Sequence, residues 1–222
     1  MSSWVKHIFV SITVMTFCLP VLGQSNRQRA PLAGLGVREA AENVIEHLKL
    51  RSDSVIVDIG AGDGWWAAQM AAKLGPDGVV HAGEVDQRKV DEMKRKWADV
   101  AQIRPYLCPT DGTGLEADSC DVAFLSKTYH HLNKDSHVDY LKHLAEVIKP
   151  NGRLVIIEQH QALTRGRSGA HAWLPGLLGM QAEQAGWMFV TCEMLPKSDH
   201  YIAVFVRPEA FAEQLAGQRS SQ

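Results

Sequence analysis

The chain has 222 residues, of which 45% are hydrophobic and 22% are charged. This length suits one domain with a full apolar core, and this composition excludes a disordered chain. The 23 basic residues nearly balance the 25 acidic ones, which leaves a net charge of −2. No run of basic residues indicates a nucleic-acid-binding surface.

The first 23 residues have the layout of a secretory signal peptide. Lys6 and His7 precede an apolar run from Ile8 to Leu22, and Gly23 provides a small residue before the expected cleavage site. The run is shorter than the roughly 20 apolar residues that cross a bilayer. We therefore expect the mature chain to be exported, to the periplasm or the outside of the cell. A membrane anchor formed by an uncleaved N-terminus is the alternative.

The remaining sequence predicts one folded domain with a short extension at each end. We expect a linker at 24–36, the domain at 37–208 and a polar tail at 209–222. The cysteines after the leader are Cys108, Cys120 and Cys192. Their spacing fits neither a zinc site nor a disulfide framework.

The first elements of the domain are a helix, a strand and a glycine-rich turn. Apolar positions from Val37 to Leu48 have helical spacing. The stretch at 55–64 reads Val-Ile-Val-Asp-Ile-Gly-Ala-Gly-Asp-Gly, and a second helical pattern follows it. In that helix, Trp66 is expected to pack into the core. Glycine permits positive φ and leaves no Cβ where a ligand lies against the main chain, so a small polar ligand is predicted at this turn.

A second strand, Val79 to Glu84, ends in an acidic residue. Glu84 lies 20 residues after Gly64, where α/β nucleotide-binding folds place a carboxylate that accepts hydrogen bonds from the ribose hydroxyls. Asp86 is the alternative ribose ligand. A helix with Val90 and its neighbours on one face follows.

The later strands complete a sheet. The third strand, at 102–107, contains Pro105, which predicts an edge position because proline cannot donate to a ladder. The fourth, at 121–126, is apolar on both faces, as in a central parallel strand, and the fifth is expected at 153–158. This alternation of strands and helices predicts a doubly wound α/β fold.

The sequence after the fifth strand has a less regular hydrophobic pattern. Residues 159–169 have no hydrophobic period, so we expect a mobile loop over the site. The stretch at 170–185 is expected to be a helix broken near Pro175. Two further strands, at 186–193 and 200–206, are expected to form an antiparallel pair.

The motif Asp-x-Gly-x-Gly-x-Gly at 58–64 resembles motif I of the class I S-adenosylmethionine-dependent methyltransferases. Leu144 to Glu158 resembles the family's segment before and through the fifth strand, and the resemblance covers about residues 35–206. It implies a Rossmann-like, doubly wound, seven-stranded sheet with an antiparallel last strand, S-adenosyl-L-methionine as cofactor and a small-molecule methyl acceptor. Trp65 stands where a dinucleotide fingerprint has its third glycine, which disfavours a nicotinamide-dependent oxidoreductase. A non-catalytic protein that binds S-adenosylmethionine is the other alternative.

The resemblance also implies which residues contact the cofactor. They lie in the glycine loop, at the end of the second strand and in the loops after the third and fourth strands. These residues are Asp58, Gly60, Ala61, Gly62, Gly64, Glu84, Val85, Asp111 and Lys127. Asp111 is expected at the adenine, with an ordinary turn aspartate as the alternative.

Methyl transfer requires the acceptor and the methyl group in line, and a base when the acceptor carries a proton. The candidates are Tyr129, His130 and His131, which follow the fourth strand. Histidine titrates near neutrality and suits the role, although both histidines could instead be structural. A metal site made of His130, His131 and Glu158 is disfavoured, because neighbouring histidines rarely reach the same ion.

Overall fold

A computed structural model describes residues 36–164 and 172–212 of the chain. The predicted leader at 1–23, almost all of the predicted linker, residues 165–169 of the predicted loop and most of the tail lie outside the described residues.

The described chain is built on one mixed sheet. Its strands are β1 (Val55–Ile59), β2 (Val79–Glu84), β3 (Ile103–Leu107), β4 (Cys120–Ser126), β5 (Ile148–His160), β6 (Ala172–Trp173), β7 (Met188–Met194) and β8 (His200–Val206). They lie in the order β3-β2-β1-β4-β5-β8-β7, with the two-residue β6 paired to β5 outside this path. Strands β1 to β5 pair in parallel, whereas β8 is antiparallel to both β5 and β7. The predicted doubly wound sheet with an antiparallel last strand is confirmed.

Helices cover both faces of the sheet. They are α1 (Ala41–Leu48), α2 (Trp65–Ala71), α3 (Gln87–Lys96), α4 (His137–Val147), α5 (Gln161–Thr164) and α6 (Pro175–Gln184), with 3-10 turns at Val37–Ala40, Tyr129–His131 and Lys134–Ser136. No helix among the described residues is long and apolar enough to cross a membrane.

Two buried clusters form the core, one on each face. Leu48, Met70 and Met93 pack on Ile56 and Val80 on the face covered by α1, α2 and α3. Leu141, Leu144 and Leu178 pack on Val57 and Ile156 on the face covered by α4 and α6. Because both faces are covered, the central strands read as almost continuous apolar runs.

Two predictions about single residues are confirmed. Pro105 lies in β3, which is an edge strand. Trp66 is buried, and its ring centroid lies 5.3 Å from that of Phe124 in β4.

The segment after the fifth strand differs from the prediction. Strand β5 continues to His160, since Gln159 pairs with His200 of β8 and with Ala172 of β6. Helix α5 begins directly after it, so the prediction of an aperiodic loop is wrong for the described residues 159–164. Pro175 begins α6 instead of breaking a helix, because the first helical position needs no N–H donor.

Candidate active site

A cavity of about 690 Å³ opens at the carboxyl ends of β1, β2 and β4. The order of the strands reverses between β1 and β4. This switch point is where open α/β sheets bind their ligands, and the volume lies within the roughly 300–1,000 Å³ of small-molecule sites. The predicted residues on its wall are Gly60, Gly62, Glu84, Val85, Asp111, Lys127 and His131.

The glycine loop forms the floor of the cavity. Gly60, Gly62 and Gly64 have φ of 72°, 59° and 72°, a region that side chains rarely adopt. A Cβ on Gly60 would lie 2.5 Å from Thr128 Oγ1, whereas one on Gly62 would meet no atom within 4 Å. Gly60 is therefore required for packing, and Gly62 leaves open space for a ligand against the main chain.

Glu84 is the acidic residue held at this floor. Its Oε2 accepts a hydrogen bond from Gly62 N–H at 3.0 Å, and its Oε1 accepts one from Val85 N–H at 2.9 Å. The ammonium group of Lys89 lies 3.5 Å from Oε2. The carboxylate is thus fixed in direction before any ligand arrives. Asp86, the alternative, instead accepts Arg88 N–H at 2.9 Å and caps α3.

Three of the predicted loop residues lie behind the cavity wall. Asp58 is 1% exposed, and its Oδ2 has no hydrogen-bond partner. Burial, and then the charge of Glu84, raise the pKa of Asp58 to about 7. Ala61 is buried and donates its N–H to Gly83 O at 2.9 Å, and Gly64 is the residue before α2. These residues shape the loop without lining the cavity.

The loop after β3 forms another wall. Cys108, Pro109, Thr110 and Asp111 line the cavity. Burial raises the pKa of the Cys108 thiol, which keeps its proton and lies 3.4 Å from Gly112 O. Asp111 thus lies on the cavity wall, and its contact with the adenine stays a prediction.

Lys127 follows β4 directly and lies on the cavity wall. It has a φ of 58°, a left-handed backbone that costs a non-glycine residue roughly 1–3 kcal/mol. Its N–H donates to Ile157 O at 2.8 Å, which holds this conformation. The exposed side chain brings a cation to the cavity.

The two histidines after β4 have different surroundings. His130 Nδ1 lies 2.7 Å from Glu158 Oε2, and the backbone N–H of His130 donates to Glu158 Oε1 at 3.3 Å. Glu158 is fully buried. His131 lines the cavity, and its ring centroid lies 4.0 Å from that of His130. Among the described residues, no group of His, Cys, Asp and Glu is arranged to hold a metal ion.

Tyr129 lies in the core and not on the cavity wall. Its hydroxyl donates to Gln181 Oε1 at 3.0 Å, and its ring stacks on His137 with centroids 4.5 Å apart. Burial raises the pKa of Tyr129, so the phenol keeps its proton. We therefore assign Tyr129 a structural role, in correction of the role in chemistry that its position suggested.

Sequence reasoning missed several residues of the cavity wall. They are Ile59, Lys89, Ser126, Thr128, Leu132, Asn133, Ser136 and Tyr140. Lys89 was within reach of prediction, because the first turn of α3 follows Glu84 closely. No sequence pattern indicated Ser136 or Tyr140 as cavity residues. Only the packing of α4 and of the turn before it, beside the loop after β3, brings them to the cavity.

Comparisons with known proteins agree with this fold. Residues 56–152 match the family described as "Methyltransferase domain". A SAM-dependent methyltransferase from Aquifex aeolicus is 20% identical, with a TM-score of 0.67 over 76% of this chain and 92% of that chain. No curated protein shows a sequence match.

Two further solved structures share the fold. The Burkholderia thailandensis 1,6-didemethyltoxoflavin-N1-methyltransferase, solved with 1,6-didemethyltoxoflavin and S-adenosylhomocysteine, is 19% identical, with a TM-score of 0.59 over 77% of each chain. A possible exported protein from Bordetella parapertussis is 16% identical, with a TM-score of 0.63 over 78% of this chain and 69% of that chain.

The fold and the cavity at its switch point define a class I methyltransferase architecture. The chain shares its fold with a solved SAM-dependent methyltransferase, and its residues 56–152 match a methyltransferase domain, as the sequence predicted. The Aquifex aeolicus protein is described as SAM-dependent, and the Burkholderia thailandensis enzyme was solved with S-adenosylhomocysteine, in agreement with the predicted cofactor.

Proposed function

We propose that the protein transfers the methyl group of S-adenosyl-L-methionine to a small molecule whose accepting atom carries a proton. The observation that carries the proposal is the arrangement of Glu84 and Gly62. A carboxylate fixed by two backbone N–H groups faces a cavity, and the open space at Gly62 leaves the main chain accessible to the cofactor.

The walls of the cavity match the parts of this cofactor. Glu84 would accept hydrogen bonds from the ribose hydroxyls, and the exposed Val85 beside it would contact the adenine. Asp111 would accept a hydrogen bond from the adenine amino group. Gly60 and Gly62 would lie along the methionine part. When bound, the cofactor supplies an electrophilic methyl group on a sulfonium centre.

The acceptor's proton would be taken by a histidine after β4. His131 lies on the cavity wall, next to the carboxyl end of β4, and an imidazole can accept a proton near neutral pH. His130 lies against it and is held by the buried Glu158, so that this pair supports the orientation of His131. The chain's contribution is then to hold the two reactants in line and to remove one proton.

Binding of the cofactor tests the first part of this proposal. Calorimetry with the mature domain should show binding of S-adenosylmethionine, and an absence of heat at millimolar ligand would refute the assignment. A panel of hydroxyl, amine and thiol compounds would then be screened for formation of S-adenosylhomocysteine. His131→Ala should lower turnover with the acceptor so found while leaving cofactor affinity unchanged. Binding without turnover on any acceptor would instead support a non-catalytic binding protein.

We further propose that the mature chain is exported after removal of residues 1–23. The support is the basic and apolar pattern of the N-terminus, together with a structural neighbour described as a possible exported protein. Intact mass after expression in a secreting host tests the proposal, with a mature chain that begins at Gln24 as the expected result. A mass that retains the leader, with the protein in the membrane fraction, would instead support the uncleaved anchor.

A further inference from the structure

The main chain of Gly112 and Thr113 is held by side chains from two elements. Tyr106, at the end of β3, donates its hydroxyl proton to Thr113 O at 2.8 Å. Tyr140 of α4 donates to Gly112 O at 3.4 Å. Thr113 N–H donates to Nε2 of His143, also in α4, at 2.9 Å.

The bond to His143 requires one form of the imidazole. Because Nε2 accepts the Thr113 N–H, this nitrogen carries no proton. The Thr113 hydroxyl lies 3.1 Å from the same nitrogen, and its oxygen accepts Leu115 N–H at 3.2 Å. Thr113 is fully buried, so its N–H has no water to replace the histidine, and a buried donor without a partner is costly.

The imidazole also fills the space beside the loop. A Cβ on Gly112 would lie 3.0 Å from His143 Nε2, so the ring and the main chain are in direct contact. Asp111 precedes Gly112 in the chain and lies on the cavity wall with Cys108. The position of Asp111 therefore depends on where His143 holds the next peptide.

We propose that His143 is a positioning residue for the cofactor: from α4 it fixes the loop at 108–113 and thereby places Asp111 against the adenine. This inference rests on the proposed function, since the cavity must bind an adenosyl ligand. Helix α4 itself is anchored to the sheet by Leu141 and Leu144, which are fully buried. Loss of the His143 side chain should therefore release the loop without releasing the helix.

The test compares two substitutions and two ligands by calorimetry. His143→Gln keeps an oxygen that can accept the Thr113 N–H, whereas His143→Leu keeps the bulk and removes the acceptor. The ligands are S-adenosylhomocysteine and its deaminated analogue S-inosylhomocysteine, which offers no amino group to Asp111. Lys142→Leu, at an exposed neighbouring position of α4, is the matched control.

We expect the wild-type protein, His143→Gln and Lys142→Leu to prefer the adenosyl ligand. His143→Leu should bind S-adenosylhomocysteine about tenfold more weakly, the equivalent of one hydrogen bond, and lose most of its preference over the inosyl analogue. Unchanged affinity and preference in His143→Leu would overturn the inference, as would an equal loss for both ligands or a failure of His143→Gln to rescue. A wild-type protein that binds neither ligand would refute the proposed function itself.

Discussion

Glu158 and His130 form a buried pair in which Oε2 of the carboxylate lies 2.7 Å from Nδ1 of the imidazole. The same carboxylate accepts the backbone N–H of His130 through Oε1 at 3.3 Å. Glu158 belongs to β5 and His130 to the turn after β4. The pair thus ties the segment that carries the candidate base to the central sheet.

Loss of the carboxylate should destabilise the fold. Glu158→Ala removes the acceptor of the hydrogen bonds from His130 Nδ1 and N–H, and a buried donor that loses its acceptor typically costs about 1–3 kcal/mol. Glu158→Gln retains an acceptor oxygen and should cost clearly less. The free energy of unfolding in urea measures both. Glu193→Ala, which breaks a partly exposed contact with His47, is the control and should cost less than about 1 kcal/mol. Equal losses of unfolding free energy in all variants would show that the Glu158–His130 pair stabilises the fold no more than the control contact does.

The buried Asp58 should make stability depend on pH. Burial and the neighbouring Glu84 raise its pKa from 3.8 to about 7, so the folded state keeps a proton that the unfolded chain has released. The contribution of Asp58 to the free energy of unfolding therefore falls as the pH rises from about 4 to about 7, by about 1.4 kcal/mol per unit. Asp58→Asn removes this dependence and should be more stable than the wild type at pH 8, with the difference shrinking towards pH 4.

Urea denaturation from pH 4 to pH 8 measures this difference. Asp139→Asn, at an exposed position of α4, should keep the wild-type dependence on pH. A constant difference between Asp58→Asn and the wild type would mean that Asp58 is ionised in the fold throughout this range.

The glycine loop could be predicted from sequence because its geometry is local. Three glycines at alternate positions between a strand and a helix indicate a backbone with positive φ, and all three have it. Pro105 indicated an edge strand for an equally local reason, its missing N–H donor. Features of this kind do not depend on distant contacts.

The direction of each side chain after β4 could not be predicted. Tyr129, His130 and His131 are consecutive in one 3-10 turn, yet they lie in the core, against Glu158 and on the cavity wall respectively. Their separation depends on β5 and α6, which come later in the chain. The extension of β5 to His160 has a similar origin, since its partners lie in β6 and β8.

Glu84 and Asp86 provide a test of the ribose ligand. A ribose carboxylate makes two charge-assisted hydrogen bonds worth about 1.5–3 kcal/mol each, so Glu84→Ala should weaken binding of S-adenosylmethionine by one to several powers of ten. Asp86→Ala removes the cap of α3 and should cost about 1 kcal/mol of stability with little change in affinity. Calorimetry and thermal unfolding of both variants separate the two effects. Weaker binding in Asp86→Ala alone would transfer the ribose role to Asp86.

The last prediction compares Gly62, where a side chain would occupy the space of the cofactor, with Gly60, where a side chain would overlap the protein itself. A Cβ at Gly62 would meet no protein atom within 4 Å, but a valine there must adopt a φ of 59°. Gly62→Val should therefore abolish binding of S-adenosylmethionine while costing roughly 1–3 kcal/mol of stability.

Gly60→Ala is the contrasting change, because its Cβ would lie 2.5 Å from Thr128 Oγ1 and should destabilise the protein through that overlap as well as through backbone strain. Gly179→Ala, in α6 with open space around the Cβ, is the control and should be neutral or stabilising by about 0.5–1 kcal/mol. Calorimetry measures the affinity and urea denaturation the stability. If Gly62→Val bound the cofactor as tightly as the parent, the methionine part would have to lie elsewhere than against this loop.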